Sequence, residues 1–421
     1  MLIEYFCKNF RSIGEEIHFS MLSSSDNSNP NNLIKCKDYN VLKEAVFYGA
    51  NGSGKTNFVK SISLLKSLVL NGVSLLPGMQ LFTNMHKLFL NDNTEFKIQF
   101  TSRNNIRYAY GLTYNKNEVV EEYLYFFPNG RKAKIFDRTK EEISFGLKYE
   151  TDLSRVVKDF LKPNRVMLSC ATSYSNIEEI KDAFLFFSDD LVIYSGNENL
   201  VLDNWSLYSA EVSSKNSDLM ERFVSFYKSI GSTDVKSISS KVEDIKIDEK
   251  QIPIFISEDL KKQLLNSPSK TSTVIFNYDK FSLNLNEESL GVQKLFNMFF
   301  PLVDIIDKGK VFLVDEFERH LHPLIVLSII ETFNKNKTNA QLIFTTHDVN
   351  FLNLKLFRRD QIWFTELKVD TRSTILYSLA ELKAIRKDES IDKNYQLGKY
   401  SAIPIISASI EDALIREVKG E

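Results

Sequence analysis

The alternation of hydrophobic and polar positions predicts strands at the start of the chain. Side chains alternate over residues 2–7 and again over 16–19, after a turn at Gly14, as expected for strands with one buried face. A short apolar run at 45–48 is followed by a glycine-rich turn and then by apolar residues at helical spacing over 58–69. This succession predicts a strand, a loop and a helix.

The next part of the chain has a different pattern. Residues 23–32 are all Ser, Asn, Asp or Pro, which predicts a solvated loop. Residues 95–138 alternate again, with turn signals near 104–105 and 128–130, and this pattern favours an antiparallel meander.

From about 150 to 270 the chain is rich in Lys, Ser and Asp, and we interpret this region as a mainly helical insertion. Its clearest helix is predicted at 218–230. Asp218 and Glu221 fit a capping box at the start of that helix, and Gly231 fits its end.

The last third alternates between strands and helices. Apolar runs at 311–314, 342–345 and 362–364 are typical of buried parallel strands, and a helical stretch is predicted to end at Pro301. Together with 45–48, these strands are predicted to form one sheet, so the predicted fold class is α/β. The predicted division is an N-terminal part at 1–150, an inserted helical region at 151–270 and a C-terminal part at 271–421.

Length, composition and charge limit the functional classes. A chain of 421 residues corresponds to two or three folding units of roughly 150 residues. With 53 basic and 55 acidic residues the net charge is −2, so a broad basic face for DNA is not indicated, whereas a local basic groove stays compatible. The chain has no 18-residue apolar run, no evident signal peptide and three scattered cysteines. We therefore expect a reduced, cytoplasmic protein without a membrane partner.

Residues 49–56 carry the phosphate-binding pattern Gly-x4-Gly-Lys-Ser/Thr. In this pattern the backbone N–H groups close around phosphates, Lys55 reaches the β- and γ-phosphate oxygens, and Thr56 offers its hydroxyl to Mg²⁺. The helix that follows adds the positive end of its dipole. The candidate nucleotide-binding residues of this loop are Gly49, Asn51, Gly52, Ser53, Gly54, Lys55, Thr56 and Asn57.

Two more strand ends carry candidate chemistry. Asp315 and Glu316 follow the strand at 311–314, where one carboxylate can hold hydrated Mg²⁺ and the next can act as general base. An acidic pair after a strand is common in plain loops, but beside a phosphate-binding loop it indicates catalysis. His347 follows the strand at 342–345 and is a candidate for hydrogen bonding to the γ-phosphate.

Other features have simpler interpretations. Ser289 precedes an apolar helical run, where serine is usually an N-cap. His320 and His322 are spaced poorly for a zinc site. The basic clusters at 131–134 and 358–359 are predicted to be solvated turns rather than phosphate contacts.

Taken together, these motifs resemble the SMC, RecF and OLD-like branch of ABC-type ATPases. The matching segments are 8–12, 49–57, the acidic run 315–323, the H-loop-like 345–347, a reduced signature at Ser289 and Gly291, and the closing segment 397–404. The resemblance points to the bacterial abortive-infection group, which includes AbiL, RloA and the AriA protein of PARIS. It covers both ends of the chain and little of 150–280.

The resemblance implies an ABC-type P-loop ATPase head with a mixed central sheet and an antiparallel meander lobe. It implies ATP and Mg²⁺ as cofactors, a homo-oligomer that is at least a dimer, a separately encoded effector such as a nuclease or toxin, and a phage-encoded trigger. It also implies that Ser289 and Gly291 contact the nucleotide of a partner copy. The residues implied to act on the nucleotide of their own copy are Lys55, Thr56, Asp315, Glu316 and His347.

The chain also departs from the family pattern. Leu290 separates Ser289 from Gly291, unlike the usual Leu-Ser-Gly-Gly-Gln signature, and Gln80 and Gln99 are candidates for the Q-loop only by position. Two alternatives stay open, namely a RecF-like DNA-repair ATPase and a scaffold that binds ATP without hydrolysing it.

Overall fold

The computed structural model describes residues 1–194, 198–230, 234–245, 269–382, 385 and 389–404. The chain forms two compact units, which differ from the predicted division at 150 and 270. The first unit contains Met1–Ile193, Gly309–Phe317 and Glu331–Glu421, and the second contains Tyr194–Lys308 and Glu318–Ile330.

Strands and helices alternate along much of the described chain. The strands are β1 Leu2–Lys8, β2 Ile17–Ser20, β3 Leu33–Lys35, β4 Asn40–Leu42, β5 Glu44–Gly49, β6 Thr94–Thr101, β7 Arg107–Tyr114, β8 Val119–Phe126, β9 Ala133–Arg138, β10 Ile143–Phe145, β11 Leu191–Tyr194, β12 Ser237–Ile245, β13 Ser269–Asn277, β14 Ser282–Asn284, β15 Val311–Val314, β16 Gln341–Thr345, β17 Ile362–Leu367 and β18 Thr374–Ser378. The helices are α1 Lys55–Asn71, α2 Glu150–Asp159, α3 Met167–Tyr174, α4 Glu178–Leu185, α5 Glu198–Lys215, α6 Ser217–Ser229, α7 Leu290–Lys308, α8 Pro323–Lys335 and α9 Ile391–Gln396.

The central sheet of the first unit has the strand order β11-β15-β16-β5-β17-β18. Strands β15, β16, β5 and β17 run parallel, and β18 is antiparallel to β17. Every residue of β15, β16 and β5 is buried, which explains their continuous apolar sequences. The predicted common sheet is confirmed, although its strands are separated by more than 250 residues of chain.

A second sheet has the order β10-β9-β8-β7-β6-β1-β2, and its neighbours pair antiparallel. It contains the predicted meander and is extended by the two strands predicted at the start of the chain. The α/β fold class, with an antiparallel meander lobe beside a mixed sheet, is confirmed.

Helix α1 is fixed by contacts with both sheets. The Phe58 ring lies 4.5 Å from the Phe47 ring of β5 and 5.9 Å from the Tyr5 ring of β1. Buried side chains of α2–α4 join the same core, so residues up to Ile193 belong to the first unit rather than to an insertion. This packing holds the start of α1 rigidly at the end of β5.

Contacts with Arg358 partly bury the loop that was predicted to be solvated. The Arg358 side chain is fully buried, donates to the carbonyl of Ser28 (2.6 Å) and pairs with Asp360 (2.8 Å). Asp360 in turn accepts the backbone N–H of Ser24 (2.7 Å). The predicted solvated turn at 358–359 is therefore wrong for Arg358, because a buried guanidinium is tolerated once a carboxylate and carbonyls compensate it.

The second unit combines helices with a small antiparallel sheet of order β12-β13-β14. Its core includes Phe223 of α6, whose ring lies 5.3 Å from that of Phe296 and 5.8 Å from that of Phe300 in α7. The prediction of a mainly helical region at 151–270 missed β12, which pairs with β13 over nine residues.

Two helix ends differ from the predictions. Asn216, not Asp218, caps α6, since its side chain accepts the N–H of Leu219 (3.1 Å), and Gly231 lies outside the described residues. Helix α7 continues through Pro301 to Lys308. Proline leaves the carbonyl four residues earlier without its helical donor, and here the buried Ser209 hydroxyl supplies one to Asn297 (2.9 Å).

Candidate functional site

Four parallel strands of the central sheet end at one edge, and the candidate residues follow three of them. The phosphate-binding loop follows β5, Asp315 follows β15, and Thr346 and His347 follow β16, which lies between the other two. Phe344 of β16 is level with Val314 on one side and Val46 on the other. The acidic pair and the loop are thus two strand spacings apart, roughly 10 Å, which leaves room for phosphates between them.

The loop wraps around the ammonium group of Lys55. Helix α1 begins at this residue, directly after Gly54, whose φ is 115°. Lys55 is 6% exposed, and its Nζ donates to the carbonyls of Gly49 (2.7 Å) and Ala50 (3.3 Å). Asn51 and Gly52 are exposed at the tip of the loop. A cation and a helix N-terminus therefore lie together at this edge, as an anion site requires.

Two glycines of the loop allow close approach to neighbouring strands. A Cβ added at Gly49 would lie 2.3 Å from Oγ1 of Thr365, and one at Gly54 would lie 2.2 Å from Oγ1 of Thr374. Gly52 has a φ of 80°, and in the described part of the chain no atom lies within 4 Å of such a Cβ. Gly54 is therefore required for both its backbone conformation and its packing, whereas Gly52 is required for its backbone conformation alone.

We expect Gly54→Ala to lower the free energy of unfolding by about 2–5 kcal/mol, because left-handed backbone strain and overpacking add. The matched variant Gly52→Ala has the backbone strain without the overpacking, and it should lower the free energy of unfolding by about 1–2 kcal/mol. Urea unfolding of both variants measures the difference. Equal losses would show that the contact with Thr374 is unimportant.

Side chains far apart in sequence support the loop. Asn57 donates to Oγ of Ser12 (2.7 Å), and Ser12 Oγ lies 2.7 Å from Oγ1 of Thr374, which itself donates to the carbonyl of Ser53 (3.0 Å). The Ser53 hydroxyl lies 2.6 Å from that of Thr365. The sequence pattern predicts that Asn57 and Ser53 contact the nucleotide, whereas in this structure their side chains bind Ser12 and Thr365 of the surrounding framework. Thr365 and Thr374 carry no motif of their own and could not be predicted from the sequence.

The acidic pair is held by the neighbouring strand. Asp315 is buried, and its Oδ1 accepts the hydroxyl of Thr345 (2.6 Å). The backbone N–H of Glu316 donates to the same hydroxyl (2.8 Å), and Glu316 has a φ of 50°. In the sequence, Thr345 is recognisable only as part of the H-loop-like motif. The signal that could have singled it out is its position at the end of the strand that adjoins the acidic pair.

His347 is exposed at the same edge, and the residues around it are anchored to β5. The N–H of Thr346 donates to the carbonyl of Phe47 (3.1 Å), and the Tyr48 hydroxyl donates to the carbonyl of Asp348 (3.2 Å). The segment that carries His347 is thus fixed to the strand that carries the phosphate-binding loop. Gln99, by contrast, lies on β6 and donates to Glu4 (2.8 Å) in the meander sheet.

Ser289 and Gly291 belong to the second unit, at the start of α7. Ser289 is exposed and its Oγ accepts the N–H of Val292 (3.4 Å), as an N-cap does. A Cβ at Gly291 would lie 2.8 Å from the carbonyl of His320. The N-cap interpretation is confirmed, and contact with a partner's nucleotide stays a prediction.

Helix α9 and the closing segment that follows it pack beside the strand that leads into the phosphate-binding loop. The ring of Tyr395 lies 5.7 Å from that of Tyr48 and 5.6 Å from that of Phe364. Its hydroxyl donates to the carbonyl of Ala402 (3.1 Å), and burial raises the pKa of Tyr395 to about 12. Residues 391–402 therefore stabilise the end of β5 from one side.

The residues at this edge fit Mg²⁺ and a nucleoside triphosphate. A carboxylate and a hydroxyl are the oxygen ligands that Mg²⁺ accepts alongside phosphates, and Asp315 and Thr56 supply them. The second carboxylate oxygen of Asp315 takes no part in the bond to Thr345. Lys55 and the N-terminus of α1 provide the positive charge for phosphates.

Sequence comparison decides the family. The model of the family described as "AAA domain, putative AbiEii toxin, Type IV TA system" matches residues 45–353, well over half of the chain. The chain belongs to this family. The match begins in β5 and ends just after the segment that carries His347, so it includes all three strand ends of the site. Among curated proteins, no sequence matches this chain.

Solved structures of SMC heads are similar to this family member. The SMC head domain from Thermotoga maritima is 12% identical with a TM-score of 0.40, covering 90% of this chain and 98% of that one. The Smc head domain with an extended coiled coil, bound to the C-terminal domain of ScpA derived from Pyrococcus furiosus, is 14% identical with a TM-score of 0.40, covering 95% and 99%. The SmcHead bound to the C-winged helix domain of ScpA is 15% identical with a TM-score of 0.39, covering 90% and 97%.

Within the described part of the chain, no helix is both long enough and apolar enough to cross a membrane.

Proposed function

We propose that this AAA-family chain binds and hydrolyses ATP with Mg²⁺, assembles around the nucleotide as at least a dimer, and thereby controls a separate effector in bacterial phage defence. The proposed ATP binding and hydrolysis rest on one observation. The phosphate-binding loop, Asp315 with Glu316, and His347 follow three parallel strands that end at the same edge of one sheet.

In this proposal each residue has a distinct task. Lys55 donates to the β- and γ-phosphate oxygens, Thr56 and Asp315 hold the metal, and His347 hydrogen-bonds the γ-phosphate. Glu316 accepts the proton of the attacking water. Bound Mg²⁺ supplies positive charge that neutralises the phosphates during transfer.

Two further observations support assembly and effector control. Ser289 is exposed at the N-terminus of α7, a 19-residue helix, where a phosphate of another copy would be favoured. The family description names a toxin of a toxin–antitoxin system, which supports action beside a second protein, here proposed to be a nuclease or a toxin. A phage component is the proposed trigger.

The defence role is tested by expressing the gene with its operon neighbours and counting plaques over a broad phage panel. We expect protection that disappears with Lys55→Ala and persists with Lys60→Ala, a lysine elsewhere on α1. Protection that survives Lys55→Ala would contradict a nucleotide-dependent role. Wild-type failure across the panel would contradict the defence role itself.

A DNA-repair role would give a different result in solution. A RecF-like ATPase would show turnover stimulated severalfold by DNA, with a steep dependence on salt because phosphate contacts release counterions. We expect turnover of this chain to be insensitive to DNA, which is in line with its net charge of −2.

A further inference from the structure

Thr345 joins the two acidic residues of the candidate site to the neighbouring strand. It is the last residue of β16, is 1% exposed, and lies beside the end of β15. Its hydroxyl bonds to the carboxylate of Asp315 (2.6 Å) and to the backbone N–H of Glu316 (2.8 Å). Its carbonyl accepts the N–H of Phe317 (3.1 Å).

The direction of these bonds follows from simple chemistry. A backbone N–H can only donate, so the Thr345 oxygen is the acceptor for Glu316. The single proton of the hydroxyl then goes to Oδ1 of Asp315, which must accept it. The hydroxyl therefore donates one bond and accepts one, and the bond that it donates restricts rotation of the Asp315 carboxylate.

Glu316 needs such support because of its backbone. Its φ of 50° lies in the left-handed region. For a residue with a side chain, this backbone conformation costs of order 1 kcal/mol or more unless the surroundings compensate. The N–H groups of Glu316 and of Phe317 flank this conformation, and both donate to Thr345. One residue of β16 thus holds the acidic turn from both sides.

We propose that Thr345 is a positioning residue that orients Asp315 for Mg²⁺ and Glu316 for water activation, a role that rests on the ATPase function proposed above. The hydroxyl does not touch the nucleotide in this scheme. It acts through the carboxylate and the backbone that it binds, as residues behind metal ligands commonly do.

The test uses the full-length chain and the variant Thr345→Val, which keeps the side-chain shape and removes the hydroxyl. Binding of a non-hydrolysable fluorescent ATP analogue is titrated against Mg²⁺ and, separately, in EDTA. We expect the Mg²⁺ concentration for half-maximal binding to rise at least about tenfold, while affinity in EDTA stays within about twofold. Thr345→Ser restores the hydroxyl and should restore the Mg²⁺ dependence.

Thr101→Val is the matched control, because Thr101 is a buried threonine on β6 whose hydroxyl has no hydrogen-bond partner among the described residues. It should leave both titrations unchanged. If Thr345→Val does not fold, Thr345→Cys replaces it in both titrations, because a thiol is a weaker hydrogen-bond donor than a hydroxyl.

Three results would overturn the inference. An unchanged Mg²⁺ dependence in Thr345→Val would show that the hydroxyl does not orient Asp315. An equal loss of binding in Mg²⁺ and in EDTA would show that Thr345 only maintains the fold. Failure of Thr345→Ser to restore the Mg²⁺ dependence would show that the hydroxyl is not the group responsible. A wild-type chain that binds no nucleotide would instead refute the proposed function, and this inference would fall with it.

Discussion

Replacing Glu316 with glutamine is expected to lower the rate of ATP turnover by roughly 10²–10⁴-fold while ATP still binds. Glutamine keeps the size of the side chain and cannot take a proton from water. The residue follows Asp315 directly, so it lies at the edge where Lys55 begins α1. Phosphate release and equilibrium nucleotide binding, measured on the same protein, separate the two effects.

The same variant tests assembly. Since Glu316→Gln should hold unhydrolysed ATP, light scattering should give at least twice the mass of one chain with MgATP and a lower mass without nucleotide. Glu331→Gln, which changes a surface glutamate paired with Lys335 (2.9 Å), is the control and should behave as wild type. Turnover that is unchanged by Glu316→Gln would favour the scaffold alternative, and a mass that ignores MgATP would count against assembly around ATP.

Replacing Lys55 with alanine is expected to weaken nucleotide binding and to lower turnover by roughly 10²–10³-fold, the usual cost of removing a preorganised donor from developing negative charge. The variant also removes the hydrogen bonds that Nζ of Lys55 donates to the carbonyls of Gly49 and Ala50. Titration with the fluorescent ATP analogue measures the binding effect directly.

Lys60→Ala removes a lysine from the same helix and should leave binding and turnover within about twofold, as surface substitutions usually do. Equal binding by Lys55→Ala and wild type would contradict the assignment of the phosphate site. A matching loss in Lys60→Ala would mean that the helix itself has been disturbed.

Much of the first unit follows from local patterns. Alternation over 2–7 and 95–138, and the unbroken apolar runs before Gly49 and Asp315, predict strands because each reflects burial of one or both faces. The phosphate-binding loop is equally local, since its glycines, lysine and threonine are adjacent in sequence. These features could be predicted, and the structure has the strands and the helix where they were expected.

The errors at helix ends and at Arg358 have one local cause and two causes that lie in contacts between distant segments. Asn216 and Asp218 are both good N-cap residues two positions apart, and a local rule cannot choose between them. Helix α7 passes through Pro301 because Ser209, far earlier in the chain, supplies the missing donor. Arg358 is buried because Asp360 and a loop more than 300 residues away surround it.

The residues of the candidate site also fall into those that the sequence predicts and those that only the fold reveals. Its motif residues, such as Lys55 and Asp315, could be predicted from sequence alone. The residues that hold them could not, because the roles of Thr345 and Thr374 depend on which strands and loops adjoin. Ser and Thr hydroxyls are too common to signal such roles without the fold.

A structure of Glu316→Gln determined with ATP and Mg²⁺ would test the proposed nucleotide site most directly. We expect the β- and γ-phosphates to lie beside Nζ of Lys55 and Mg²⁺ to lie within ligand distance of the Thr56 hydroxyl. Asp315 should face the metal and still be bonded to Thr345. ATP bound elsewhere, or phosphates at this edge without contact to Lys55, would contradict the proposed site.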